Sequence, residues 1–198
     1  MPMVMFEAQS LPPALSIPVT PFIGRRAELE GLSALLQQAD TRLITLLGPG
    51  GVGKTRLALA AADLHRLHLD QRVCFVSLQA VTAAEQIAAT LAESIGFVLH
   101  GETSLEEQVF HYLRDKSLLL VLDNLEHLPQ SADFIAQLLR VAPGVQVIAT
   151  SREKLNLLAE IVFPVEGFQT DDWRNTDQAR DADVVQLFEQ SAQRAQPS

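Results

Sequence analysis

The sequence predicts an α/β fold, a three-layer sandwich on a mostly parallel five-stranded sheet, and three observations carry that prediction. Short apolar runs of strand length alternate with helix-forming stretches of about ten residues or more, the pattern that parallel crossovers produce. One run, Leu118 to Leu122, is apolar at every position, as expected of a strand buried on both faces. Glycine and proline punctuate the chain between these runs, at Gly48 to Gly51, Gly96 and Pro143-Gly144.

Residues 1–21 hold five prolines, each of which removes a backbone donor and biases its neighbour toward extended structure, so an extended leader is expected. From residue 22 to about 170 a single domain is expected. Leu29, Leu32, Leu35 and Leu36 recur at helical spacing between Arg26 and about Ala39. A strand at Leu43 to Leu47 then runs into a glycine loop and a helix from Lys54 to Leu67. Val73 to Leu78 reads as a second strand, and Ala83 to Ile95 as an Ala-rich helix stopped by Gly96. Ser104 caps a helix through Arg114, with Glu107 completing a capping-box pattern. After the Leu118 to Leu122 strand, which ends at Asp123, come a helix from Ser131 to Val141, a strand at Val145 to Ala149 and a weaker strand at Ile161 to Val165. Residues 171–198 read as a polar linker followed by an amphipathic helix near Ala182 to Arg194, the start of a C-terminal helical subdomain.

With 198 residues, 47% of them hydrophobic and 20% charged, the chain can bury one substantial core. It has no apolar stretch of about 18 residues and no secretory signal, so a membrane span is not expected and a cytoplasmic location is. The net charge of -9 and the lack of a Lys/Arg cluster argue against direct nucleic-acid contact by this segment. Any DNA contact would belong to a module outside it. The single cysteine, Cys74, cannot form an internal disulfide and reads as a buried strand residue.

The chemistry concentrates in Gly48-Pro49-Gly50-Gly51-Val52-Gly53-Lys54-Thr55, which fits the phosphate-loop pattern of Gly, four residues, Gly, Lys and Ser or Thr. Glycines let backbone NH groups approach phosphates, and the following helix adds its positive N-terminal end. Lys54 is expected to reach the β and γ phosphates, Thr55 to ligate magnesium, and Arg56 to lie within the nucleotide contacts. About 70 residues further on, Asp123 ends an apolar strand, which places a carboxylate beside that magnesium. Glu126 and the amide of Asn124 are the groups available to orient or deprotonate water, although Glu126 reads equally as a solvated helix-start acid. His127 reads as a structural hydrogen-bonding residue. Thr150-Ser151-Arg152 should emerge at the same sheet edge, where Arg152 is placed to sense the γ-phosphate. His65 and His68 share a helix face but have no convergent metal-binding partner.

Four motifs in series then carry a resemblance: Phe22-Ile23-Gly24-Arg25-Arg26-Ala27-Glu28-Leu29, Gly48 to Thr55, Leu118 to Asp123 with Asn124-Leu125-Glu126-His127, and Ala149-Thr150-Ser151-Arg152-Glu153. Together, over roughly residues 18–195, they resemble the signal-transduction ATPases with numerous domains, the STAND class. Within it they are most similar to the branch found in large bacterial LuxR-type and antibiotic-regulator-type transcription factors, whose core is similar to the NB-ARC domain. The resemblance implies that Ile23, Gly24 and Arg25 contact the base and sugar, whereas the residues alone read as a helix-start turn. It also supports Arg152 as a γ-phosphate sensor. It implies ATP or ADP with Mg2+ as ligands, and a switch, closed with ADP and open or oligomeric with ATP, working with downstream helical, winged-helix and sensor domains.

Two departures stand out. Asn124 occupies the position where many relatives have a second acid, and Ser198 precedes the parts that carry a Gly-x-Pro motif and a sensing histidine in relatives. A nucleotide core cut from larger machinery and a short natural variant are both compatible with this. Guanine-reading Asn-Lys-x-Asp and transporter Leu-Ser-Gly-Gly-Gln motifs do not occur. The functions in play are a slow regulatory ATPase, an AAA+-like motor and a non-hydrolysing ADP-binding interaction module.

Overall fold

A computed structural model describes residue 22 and residues 24–69, 72–98, 103–128 and 130–167. The leader, Ile23, the linker and the expected C-terminal helix lie outside the described residues. Within them the chain runs α1 (Arg26–Leu36), β1 (Leu43–Leu47), α2 (Lys54–Leu69), β2 (Arg72–Ser77), α3 (Glu85–Ser94) and α4 (Leu105–Leu113). It continues through β3 (Leu118–Asp123), a 3-10 turn (Leu125–His127), α5 (Ser131–Val141), β4 (Val145–Ser151) and β5 (Glu160–Pro164).

All four strand pairings are parallel, in the order β2-β3-β4-β1-β5. The alternation of strand side chains divides the interior into two cores. Leu120, Leu122, Val147 and Ala149 point toward α3, α4 and α5, whereas Ile44, Leu46, Leu119, Val121 and Ile148 face α1 and α2. That explains the uniformly apolar β3, since its alternate residues enter opposite cores and neither face meets water.

The ends of elements follow local chemistry. α1 stops at Leu36, short of Ala39, because Gln37, Gln38 and Asp40 offer nothing to bury, and the chain closes in short turns from Gln38 to Leu35 and Thr41 to Gln38. Ser104 Oγ accepts the Glu107 backbone NH at 3.2 Å, so the expected cap forms. β4 extends to Ser151, two residues beyond the expected strand, by pairing Leu46 with Thr150 and Leu47 with Ser151.

Candidate functional site

Because β4 lies between β1 and β3, three strand ends converge at one edge of the sheet: the glycine loop after β1, Asp123 at the end of β3, and Thr150-Ser151-Arg152 at the end of β4. This carboxyl edge is where open parallel sheets bind ligands. A cleft of about 230 Å³ opens there, with Lys54, Thr55, Arg56, Asn124, Glu126 and Arg152 among its walls.

The loop is held from behind. Val165 donates its NH to Leu47 O at 2.7 Å, and Gly48 passes so close that a Cβ there would run into the Val165 carbonyl. Gly51 and Gly53 have φ of 77° and 97°, backbone that L side chains rarely adopt. α2 begins immediately after Gly53 and carries no acid in its first turn, so its positive end stays available to an anion.

Lys54 is 8% exposed, with Nζ donating to the carbonyls of Gly48 at 2.8 Å and Pro49 at 3.0 Å. Burial pushes its pKa down; Glu126 opposes this, Arg152 adds to it, and Asp123 opposes it more weakly. Its hydrogen bonds go to two neutral carbonyls, and a polyphosphate would give this ammonium an anionic acceptor.

Thr55 Oγ1 donates to Asp123 Oδ1 at 2.6 Å. The same oxygen accepts from Thr150 Oγ1 at 2.7 Å, and Thr150 Oγ1 in turn accepts from the Asn124 backbone NH at 2.9 Å. Two hard oxygens this close can occupy adjacent corners of a magnesium octahedron, whose edges are roughly 3 Å for ligands at about 2.1 Å. The described residues hold no cluster of three or more His, Cys, Asp or Glu side chains. The Thr55 hydroxyl and the Asp123 carboxylate fit a magnesium ion, which is commonly held through one or two carboxylates together with substrate phosphates and water.

Asn124 is left-handed, with φ 74° and ψ 54°, a conformation asparagine tolerates better than most residues. It turns the chain into the 3-10 segment, where buried Leu125 anchors the turn and Glu126 enters the cleft wall. Glu126 Oε1 pairs with Arg152 Nε at 2.9 Å, while Oε2 is buried with no partner among the described residues. His127 Nε2 lies 2.7 Å from Val81 O; a carbonyl only accepts, so this nitrogen carries the proton and the residue is structural.

Gly24 and Arg25 are both left-handed, at φ 71° and 55°, and lead into α1. The Arg25 guanidinium donates to Val52 O at 2.9 Å, Glu166 O at 2.8 Å and Glu28 Oε1 at 3.0 Å. It therefore braces the loop and is not among the residues lining the cleft. His65 is buried in α2, and the His68 side chain lies outside the described residues. Thr150, expected at this sheet edge but without a role in the site, is buried and joins Asp123 to the β3 exit. Its signal is the polar pair Thr150-Ser151 closing a strand that is apolar before it apart from Gln146.

A parallel sheet, a glycine loop feeding Lys54 and Thr55 into a helix, and an acid bonded to that threonine define a P-loop ATPase domain. Residues 37–158 match the family described as AAA domain, and the chain belongs to it. It is 35% identical over 160 residues to a Mycobacterium tuberculosis protein named as an HTH-type transcriptional regulator, covering 80% of this chain and 17% of that protein. With the regulatory protein AfsR of Streptomyces griseus it shares 28% identity over 176 residues, covering 80% of this chain and 18% of that one. The chain thus spans less than a fifth of either regulator. Among solved structures, Cdc6p of Pyrobaculum aerophilum aligns with a TM-score of 0.53 at 18% identity, over 72% of this chain and 47% of that one, a likeness of fold alone. No helix among the described residues is long and apolar enough to cross a membrane.

Proposed function

We propose that this chain is the ATP- and ADP-binding switch module of a STAND-type signalling ATPase, with slow magnesium-dependent hydrolysis, within a cytoplasmic transcriptional or signalling regulator. The observation that carries the reading is the 2.6 Å bond between Thr55 and Asp123 at the foot of a cleft that also holds Lys54. Bound there, magnesium would neutralise charge on the β and γ phosphate oxygens. The loop amides and Lys54 would hold the phosphates, and Arg152 would meet the terminal one. Residues 23–25 would approach the base and sugar, with Arg25 also fixing the loop.

Slow turnover follows from what stands after Asp123. Asn124, directly after Asp123, is not a base, so water would have to be activated from Glu126, three residues further on. The chain would hand its nucleotide state to downstream helical, winged-helix and sensor domains, with an ATP-dependent oligomer as one output and DNA contact left to other modules. A non-hydrolysing ADP-binding module is the second reading, favoured by Asn124 in the place of an acid.

Titration calorimetry of ATP and ADP with magnesium, followed by phosphate release from the same sample, tests this reading. Both nucleotides are expected to bind, Lys54→Ala to abolish the heat, and release to run well below about 1 s⁻¹, the low end of ordinary enzyme turnover. Faster release would move the protein to the motors, and intact binding with no release would select the second reading. Failure of the wild type to bind either nucleotide would refute the nucleotide reading itself.

A further inference from the structure

The cleft carries its own counter-ion. Glu126 and Arg152 come from different strand ends, after β3 and after β4, and meet across the cleft mouth at 2.9 Å. The guanidinium lies over the phosphate loop: a Cβ built on Gly50 would stand 2.9 Å from Arg152 Nη2. Arg152 thus occupies the rim of the loop, where a terminal phosphate would face it.

The two partners are unequally committed. The Arg152 side chain is 60% exposed and Glu126 is 16% exposed, so the arginine can swing and the carboxylate cannot follow it far. Glu126 uses one oxygen, leaving Oε2 buried and unpartnered among the described residues. A pair built for stability would satisfy both oxygens, because an unpaired buried acceptor costs free energy. Glu126 is also the strongest carboxylate influence on Lys54, ahead of Asp123.

A γ-phosphate needs the same cations and carries the same sign of charge as Glu126. Binding a triphosphate must therefore draw Arg152 off the carboxylate and accept a negative neighbour, whereas a diphosphate ends before that point. We propose that Glu126 is a nucleotide-discriminating residue, a resident anion that holds Arg152 until a γ-phosphate takes it over and that disfavours triphosphate relative to diphosphate. This rests on the nucleotide-binding reading above and adds the element that biases it toward ADP. A ligand shifts a two-state system only through such differential interaction.

The test is calorimetric titration of ADP and of a non-hydrolysable ATP analogue, each with magnesium, into the whole chain, its Glu126→Gln, Arg152→Gln and double variants, and Lys54→Ala as the control. Glu126→Gln is expected to tighten the analogue roughly five- to tenfold, the scale of losing a partly exposed ion pair and a like-charge contact, and to move ADP less than twofold. Arg152→Gln, at a mostly exposed position, should weaken the analogue and spare ADP, and in that background the gain from Glu126→Gln should shrink. If wild type binds both ligands, Lys54→Ala binds neither, and Glu126→Gln leaves the analogue-to-ADP ratio unchanged, the inference fails and the nucleotide reading stands. A purely catalytic Glu126 would give that outcome, with phosphate release lost when the same variant is given ATP. Wild type that binds neither ligand overturns both.

Discussion

Two arginines at opposite ends of the same sheet show how the fold divides its work. Arg42, just before β1, donates to the carbonyls of Val145 at 3.0 Å, Leu139 at 3.1 Å and Ala142 at 2.9 Å. Burial lowers its pKa, and beside it Gln146 Nε2 donates to the carbonyls of Leu36 and Thr41. In that sense this end is saturated: the carbonyls of Leu36 and Leu139, left over where α1 and α5 stop, both have side-chain donors. Arg152, at the other end, makes one ion pair with a carboxylate that keeps an oxygen idle. The residue type is the same and the environments are opposite. Stability is built where β1 and β4 begin, and unspent binding capacity is kept where they end.

The sharpest way to break that contrast is Arg42→Ala. Three carbonyls lose a charged donor at once, so the stability measured by urea unfolding is expected to fall by roughly 3 kcal/mol, with nucleotide affinity unchanged in the folded fraction. A loss under about 1 kcal/mol would mean that water replaces the guanidinium there and that this end is not saturated.

Arg25 sharpens the contrast because it combines both characters. Its bonds resemble those of Arg42, at 7% exposure, yet its acceptors are Val52 in the loop and Glu166 just beyond β5. Arg25→Ala should cost about 2 kcal/mol of stability and also weaken ATP and ADP alike, about tenfold, by loosening the loop. Arg25→Lys should restore little, since one ammonium cannot reproduce the planar fork. Unchanged affinity alongside lost stability would put Arg25 with Arg42.

What was legible in the sequence was local. The strands, the Ser104 cap and the phosphate loop depend on spacings of a few residues, and each formed where its pattern lay. The meeting of Thr55 with Asp123 across 68 residues was readable because both motifs belong to one known chemistry. Strand order was not legible, since periodicity says which residues are buried and not which strand is the neighbour. Without it, Thr150 has no reason to bond Asp123, and Glu126 has no reason to face Arg152. The resemblance marks Arg25 as a site residue, but its bracing of the loop was hidden for the same reason, as one of its acceptors, Glu166, is 141 residues away. Nor do apolar spacings reveal that Asn124 turns left-handed and so brings Glu126 into the cleft wall.

Cys74 tests the saturated side of the comparison with the smallest effect. It lies on β2, at one edge of the sheet beneath α3, 6% exposed, with Sγ donating to Ser94 O at 3.4 Å. Burial pushes its thiol from 9.0 up to about 12. The unfolded chain therefore loses this proton first as pH rises. The neutral thiol's contribution is complete below pH 9 and drains away toward pH 12, at up to roughly 1.4 kcal/mol per pH unit. Urea unfolding of wild type and Cys74→Ala at pH 8, 9.5 and 10.5 isolates that slope, since other titrating groups are common to both. The wild type should lose ground to the variant only above about pH 9. A thiol reagent at pH 8 should leave the native chain unlabelled. Parallel pH curves or prompt labelling would mean that β2 and α3 part readily, and that this edge of the sheet is as open as the cleft.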